Sequence, residues 1–322
     1  MSTVSFFSTV QDGIELVEKR MRAQADDKNH PDLSAALDHL LSSGGKRIRP
    51  TLVFLVGNML GAPEEKLVTL GAAVEMLHTA TLVHDDLIDG SLLRRGTPTL
   101  NARWSPAATV LTGDFLFARA AKLAAEADHL PLMKSFAETL AIIVNGELTQ
   151  LFAARGSTSR ENYYQRIYAK TASLFEMSTR AAAMVSPASD EVIEALRVFG
   201  YETGMAFQIM DDVLDFTGDQ AAVGKPVGSD LLQGLITLPA LYYLENHPED
   251  DDVRLLKDGG WGNRERMERL VQSIRVSDAI AYAQGEARQR VERALTVIDK
   301  FHPSTERGAL GELARYIVDR NF

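Results

Sequence analysis

Apolar side chains recur along this chain at intervals of three and four, the spacing of one helix face. Leu67, Leu70, Val74, Leu77 and Thr81 share such a face. Pro63-Glu64-Glu65 supplies a first turn for that helix, and Asp89-Gly90 an exit. The same spacing predicts helices over 32–41, 51–60, 109–127, 130–154, 160–185, 190–216, 235–246, 264–275, 277–301 and 306–320. Breakers separate them, among them Gly61-Ala62-Pro63, Gly96-Thr97-Pro98, Gly156-Ser157, Ser186-Pro187 and Gly259-Gly260. No run alternates apolar and polar residues with the period of a strand. The expectation is an all-α protein. With no linker and no fixed-period repeat, a single domain over 1–322 is the simplest reading. A split near residue 156 is the alternative that length alone allows.

Composition narrows the chemistry. The chain has 322 residues, 45% apolar and 24% charged, enough for a large soluble core. It has no cysteine, which excludes disulfides, thiolate metal sites and cysteine nucleophiles. Asp and Glu number 44 against 34 Lys and Arg, a formal charge of −10 that speaks against binding nucleic acid. The first residues lack a basic start followed by an apolar stretch, and the richest apolar stretch is interrupted by Glu75. A cytoplasmic location is expected, with peripheral membrane contact left open.

Two acidic clusters share one pattern. Asp85-Asp86-Leu87-Ile88-Asp89 and Asp211-Asp212-Val213-Leu214-Asp215 each fall near the end of a long apolar helix. Positions i and i+4 lie on one face about 6 Å apart along the axis, so Asp85 pairs with Asp89 and Asp211 with Asp215. Like charges at that spacing, near a helix C-terminus, oppose both each other and the helix dipole. Bound cations would relieve both conflicts. A solvated acidic face explains one such cluster as well, but two matched clusters in apolar surroundings much less readily. Carboxylates without His or Cys select hard ions, and Mg²⁺ is the usual choice when phosphate is also bound.

Basic groups suited to phosphate are scattered nearby in sequence. Gly44-Gly45-Lys46-Arg47-Ile48-Arg49-Pro50 joins a glycine turn to three cations. Arg94-Arg95-Gly96 follows the first cluster, and Lys170-Thr171 and Gly224-Lys225-Pro226 add two more. Each alone reads more readily as exposed surface charge, and Arg47 is expected to be only that. His78 lies two turns before Asp85 on the same face.

With these residues in hand, the sequence resembles the trans-isoprenyl diphosphate synthases, the polyprenyl synthetase family. The likeness runs from about Gly44 to Pro239 and rests on Gly44–Pro50, His78–Asp89, Arg94-Arg95-Gly96, Gly113-Asp114-Phe115, Lys170-Thr171, Gly204–Asp215 and Gly224–Asp230. It implies a large helical bundle around a deep cavity, usually in a homodimer, with the acidic clusters facing each other across its mouth. It implies Mg²⁺ held by Asp85, Asp89 and Asp211, with Asp86, Asp212 and Asp215 completing the shell. Arg94, Lys170, Thr171, Gln208 and Lys225 match positions that hold an allylic diphosphate. Lys46, Arg49, His78 and Arg95 match those that hold isopentenyl diphosphate. The implied reaction ionises the allylic diphosphate and adds isopentenyl diphosphate to the cation, with no protein nucleophile.

Two details refine the resemblance. Many members carry Lys after the Gly of a Gly-Lys-x-Thr-Leu-Pro segment; here that position is Leu235. One turn before Asp85, where short-chain members have bulky aromatics, this chain has Ala80 and Thr81, with Leu77 the next candidate floor. Small residues there also suit close helix contact. The resemblance implies a medium or long product, of roughly six or more isoprene units, with a farnesyl or geranylgeranyl diphosphate synthase as the alternative. A class I terpene cyclase is opposed by Lys46, Arg49 and the second cluster. A non-catalytic subunit is opposed by the survival of both clusters, while a catalytic subunit needing a partner stays open.

Overall fold

The computed structural model describes residues 5–25, 31–42, 44–152, 159–218 and 226–320. Lys225 and Gly224, the Gly156-Ser157 breaker and the last two residues of the helix expected over 130–154 lie outside them. The described chain is all-α, with one two-stranded exception. Its helices are α1 (Ser5–Ser8), α2 (Gln11–Arg22), α3 (Pro31–Ser42), α4 (Ile48–Leu60), α5 (Glu64–Ile88), α6 (Leu100–Arg103), α7 (Pro106–Glu126), α8 (Leu130–Phe152) and α9 (Arg160–Ile167). After a π-helical turn at Tyr168–Ala172 come α10 (Ser173–Met184), α11 (Asp190–Thr217), α12 (Ser229–Leu232), α13 (Leu238–Asn246), α14 (Asp251–Lys257), α15 (Arg264–Val276), α16 (Ala279–Ile298) and α17 (Thr305–Asp319).

Three departures from the sequence reading have local causes. The helix expected over 160–185 runs without a break in helical residues to Met184 but is widened by the π turn, a form that often marks functional sites. The helix expected from 235 starts at Leu238, because Thr237 is extended and Pro239 suits a first turn. A two-residue ladder pairs Leu93 with Pro98 and Arg94 with Thr97. Its loop, Arg95-Gly96, has positive φ at both residues (52° and 75°), as a tight two-residue hairpin turn requires.

The chain divides into two compact units, each assembled from three stretches: 1–139, 174–200 and 298–312; and 140–173, 201–297 and 313–322. The boundaries fall within α8, α10, α11, α16 and α17, not in linkers. In the first unit α5 packs against α2, α4 and α7. Leu67, Leu70, Val74 and Leu77 are fully buried there, each such side chain worth about 1.5–3 kcal/mol of burial. By length and composition α5 could cross a membrane, yet most of its apolar window is buried in the protein. In the second unit Phe216, Leu231, Leu238, Leu270 and Ile274 form part of the core.

Candidate active site

The first acidic cluster closes α5. Asp86 is buried, and its carboxylate accepts Arg94 Nε at 2.9 and 3.0 Å and Arg94 Nη2 at 2.8 Å. Asp85 is half-buried and Asp89 exposed. One carboxylate of three is thus turned inward onto a cation, and two stay within reach of solvent. The tight hairpin turn positions both arginines. Arg94 reaches back to Asp86, while Arg95 Nη1 donates to the carbonyl of Gly44. Arg95 Nη1 lies 2.9 Å from where a Cβ on Gly45 would stand, so a side chain there would displace it. The glycine turn at 44–45 and the Arg-Arg pair, fifty residues apart in sequence, therefore meet.

His78 sits on the same helix face, half-buried. Burial, followed by the positive charges of Arg49, Arg95, Arg94 and Arg47, holds its imidazole well below the usual histidine range. It is neutral near pH 7 and offers one donor and one acceptor, not a charge. Arg49 lies with its guanidinium carbon 5.1 Å from the centre of the Phe175 ring. Lys46 is exposed.

Arg47 is not the surface charge expected of it. Its side chain is only 11% exposed, with Nε 2.9 Å from Glu18 and Nη1 3.1 Å from Glu75, and Nη2 donates to the Leu41 carbonyl. Glu75, the acid that interrupts the apolar stretch of α5, is buried to receive it. The pair pins the loop before α4 onto α5, with Arg47 itself in the left-handed region at φ 45°.

The second unit builds its cluster differently. Asp212 is buried and accepts the Tyr163 hydroxyl at 2.7 Å and Gln208 Nε2 at 2.9 Å. The Thr171 hydroxyl donates to Gln208 Oε1 at 2.5 Å, extending one chain of bonds from the π turn to the acid. All these partners are neutral. Burial, reinforced by the negative Asp230, pushes the Asp212 carboxyl up to about 7 against the pull of those bonds. Asp215 accepts the backbone N–H and hydroxyl of Ser229 and the N–H of Asp230, tying the end of α11 to α12. Asp211 receives Arg320 at 2.5 Å. The π turn also sends the sequence neighbour of Thr171 elsewhere: Lys170 Nζ is 3.2 Å from Glu147 Oε1 on α8.

Three of these partners escaped the sequence reading. Asp230 had entered only as the end of the Gly224–Asp230 segment, and Tyr163 stands two turns before Lys170, so its spacing was a usable signal. Glu147 and Arg320 had none. On α5, Leu77 and Ala80 are fully buried, whereas Thr81 is half-buried and donates to the His78 carbonyl at 2.7 Å.

Among the described residues no three metal-binding side chains form a closed cage. Mg²⁺ keeps waters and takes one or two carboxylates plus substrate phosphates. Asp85 and Asp89 in the first unit, and Asp211 in the second, each keep exposed carboxylate surface, the kind of oxygen donor a hard divalent ion takes.

Comparison with known proteins defines the class. A family model for polyprenyl synthetase matches residues 30–274. The chain is 39% identical over 284 residues to the all-trans-nonaprenyl-diphosphate synthase (geranyl-diphosphate specific) of Rhodobacter capsulatus, across 88% of this chain and 87% of that one. It is 36% identical over 323 residues to heptaprenyl diphosphate synthase component 2 of Geobacillus stearothermophilus, across 100% of both. A crystal structure of polyprenyl synthase from Caulobacter crescentus CB15, complexed with calcium and isoprenyl diphosphate, superposes with a TM-score of 0.89 at 32% identity. The match covers 98% of this chain and 97% of that one. These relatives are prenyltransferases, and the shared architecture is the all-α isoprenoid synthase fold. The chain belongs to the polyprenyl synthetase family.

Proposed function

We propose that this chain condenses isopentenyl diphosphate with an allylic diphosphate and repeats the step to a medium or long trans-polyprenyl diphosphate. The observation that carries the reading is the recurrence of Asp-Asp-x-x-Asp at the ends of α5 and α11. In each copy the middle acid is buried and the first keeps exposed surface. Mg²⁺ held by Asp85, Asp89 and Asp211 would supply Lewis-acid stabilisation of the charge that develops on the departing diphosphate. The calcium in the Caulobacter crescentus protein supports a divalent ion of this kind.

The chain's own groups do the rest. Arg94, Lys170, Thr171, Gln208 and Lys225 hold the allylic diphosphate while its C–O bond breaks. Lys46, Arg49, Arg95 and the neutral His78 hold isopentenyl diphosphate so that its double bond meets the allylic cation. The new C–C bond leaves a tertiary cation, which loses a proton to the released diphosphate. Buried apolar walls on α5 exclude water from the cation. The fully buried Leu77 and Ala80, with Thr81, set the product length. The nonaprenyl and heptaprenyl relatives support the longer range.

We place the enzyme in the cytoplasm, as a homodimer touching membrane at most peripherally for product release. On α8, Val144, Leu148, Leu151 and Phe152 form an exposed apolar stripe at helical spacing, the kind of surface that a second copy covers. The Geobacillus stearothermophilus relative is one component of its synthase, which favours a hetero-partner as the second reading. One set of incubations tests the function. The purified chain receives isopentenyl diphosphate, Mg²⁺ and each allylic starter in turn, with product mass as readout. Condensation with at least one starter is expected; none, with the chain folded and alone, favours the partner-dependent reading, and turnover of an allylic diphosphate without isopentenyl diphosphate rejects the proposal for a cyclase.

A further inference from the structure

Arg320, the residue after α17, makes contacts that the proposed reaction has not used. Its side chain is 5% exposed. Nη2 donates to the Phe207 carbonyl at 2.8 Å and to Asp211 Oδ1 at 2.5 Å, and the guanidinium carbon lies 4.1 Å from the centre of the Phe207 ring. Phe207 and Asp211 are one turn apart on α11, so ring, carbonyl and carboxylate form one seat for one guanidinium. Arg320 Nε is buried and has no hydrogen-bond partner among the described residues. Beside the seat is a cavity of about 180 Å³ lined by Met210, Val213, Leu214, Gln284 and Arg288 together with Arg320.

We propose that Arg320 is an internal counter-ion for Asp211, a positioning residue that holds this carboxylate while no metal is bound and releases it when a divalent cation arrives. The inference rests on the metal-binding reading of the second cluster. A guanidinium and a divalent ion on one carboxylate repel each other, so the two compete for Asp211. The geometry makes the exchange feasible. Phe207 holds the guanidinium by its carbonyl and ring, which need no charge, and the cavity gives the side chain room to withdraw. The unpartnered Nε means that the present seat satisfies the group only in part. Meanwhile Asp211 keeps 40% of its side-chain surface exposed, so a cation can reach it without unfolding α11. In the metal-free protein Arg320 offsets the charge of an acid that shares its helix end with Asp212 and Asp215.

Mn²⁺ binding in the presence of inorganic diphosphate, read by electron paramagnetic resonance, tests this without relying on turnover. Arg320→Gln removes the competitor, so the Mn²⁺ dissociation constant should fall about two- to fivefold, the size of one half-exposed ion pair. The metal-free melting temperature should fall at the same time, and Arg320→Lys should restore the wild-type affinity. A merely structural Arg320 predicts lower melting temperatures with and without Mn²⁺ and an unchanged dissociation constant, which would overturn the proposal, as would weaker binding. Should Arg320→Gln fail to fold, the wild-type chain decides. The ¹⁵N–¹H resonance of Arg320 Nε, assigned by its loss in Arg320→Lys, should move on addition of Mg²⁺ and diphosphate; a stationary signal overturns the exchange. Asp211→Asn separates the two readings. If it binds Mn²⁺ like wild type, the metal reading falls and takes this inference with it. If it loses Mn²⁺ while Arg320→Gln binds as wild type does, only the counter-ion role falls.

Discussion

The two Asp-Asp-x-x-Asp clusters are the same in sequence and unlike in their surroundings. In the first, the buried middle acid, Asp86, has a guanidinium clamped on it. In the second, the buried middle acid, Asp212, has a phenol and an amide. The last acids differ too: Asp89 is exposed, while Asp215 takes the N–H and hydroxyl of Ser229; in the second cluster the arginine goes instead to the first acid, Asp211. One turn before the acids the clusters differ again, with Ala80-Thr81 on α5 and Ala206-Phe207 on α11. A repeated motif therefore does not carry a repeated electrostatic state. Whichever tertiary neighbour covers the inward carboxylate decides whether it is bonded by a cation or only by neutral groups, and burial, reinforced by the negative Asp230, is what raises Asp212.

The largest expected effect asks whether the two clusters are nonetheless equal in function. Asp85→Ala and Asp211→Ala should each lower turnover by about 10²–10³-fold, the loss typical of removing one group that stabilises developing charge. Circular dichroism should stay unchanged in both, since neither acid is part of an apolar core, although Asp211→Ala also takes the partner from Arg320. Near-normal rates in either variant at limiting Mg²⁺ would break the pairing of the clusters.

Next come the cations on each side. Lys46→Ala should raise KM for isopentenyl diphosphate, and Lys225→Ala that for the allylic substrate. Each should lower kcat/KM about ten- to a hundredfold, the worth of one charge-assisted contact. Equal shifts for both substrates in both variants would erase the division of roles.

Stability gives a sharper contrast between the inward acids. Arg94→Ala strands the buried Asp86 and should cost about 1.5–3 kcal/mol in denaturant unfolding. Tyr163→Phe leaves Asp212 its bond from Gln208 and should cost about 0.5–1.5 kcal/mol. The reverse order would mean that the neutral network is the stronger one.

The pH dependence follows from the raised carboxyl of Asp212. A folded-state value of about 7, above the ordinary 3.8, means that the native metal-free protein binds this proton more tightly than the unfolded chain. The stability it contributes is complete below about pH 4 and is lost as pH rises to about 7. Asp212→Asn should escape that loss. Its melting temperature, relative to wild type and without metal, should climb between pH 4 and 7 and then level off. A pH-independent difference would show that Asp212 ionises normally. Asp86→Asn should instead destabilise, because it breaks the bidentate pair with Arg94.

The smallest effect on rate tests the small residues of α5. Ala80→Phe should shorten the product while leaving the first condensation nearly intact, giving α5 the bulk that Phe207 gives α11. Unchanged product length together with a stability loss of about 1–3 kcal/mol would mean that Ala80 is small only for helix contact.

Much of this was legible without coordinates. The 3.6-residue period of apolar positions carried the all-α class and the major helices, since a helix that buries one face must repeat on that period. The pairing of acids at i and i+4 followed from the same geometry, while the small residues before Asp85 stood out only through the family resemblance. What the tertiary structure decided is which neighbour meets each charge. Arg47 looked like a surface cation and is a buried partner of Glu75; Arg95 meets Gly44 because a hairpin turn with two positive φ angles sends it back; Arg320 reaches Asp211 from the far end of the chain. Local periodicity sets which face of a helix is apolar, because that depends only on bonds between near neighbours in sequence. The partner of a charge depends on long-range chain closure, and it is that partner, through desolvation and Coulomb attraction, that sets the protonation state.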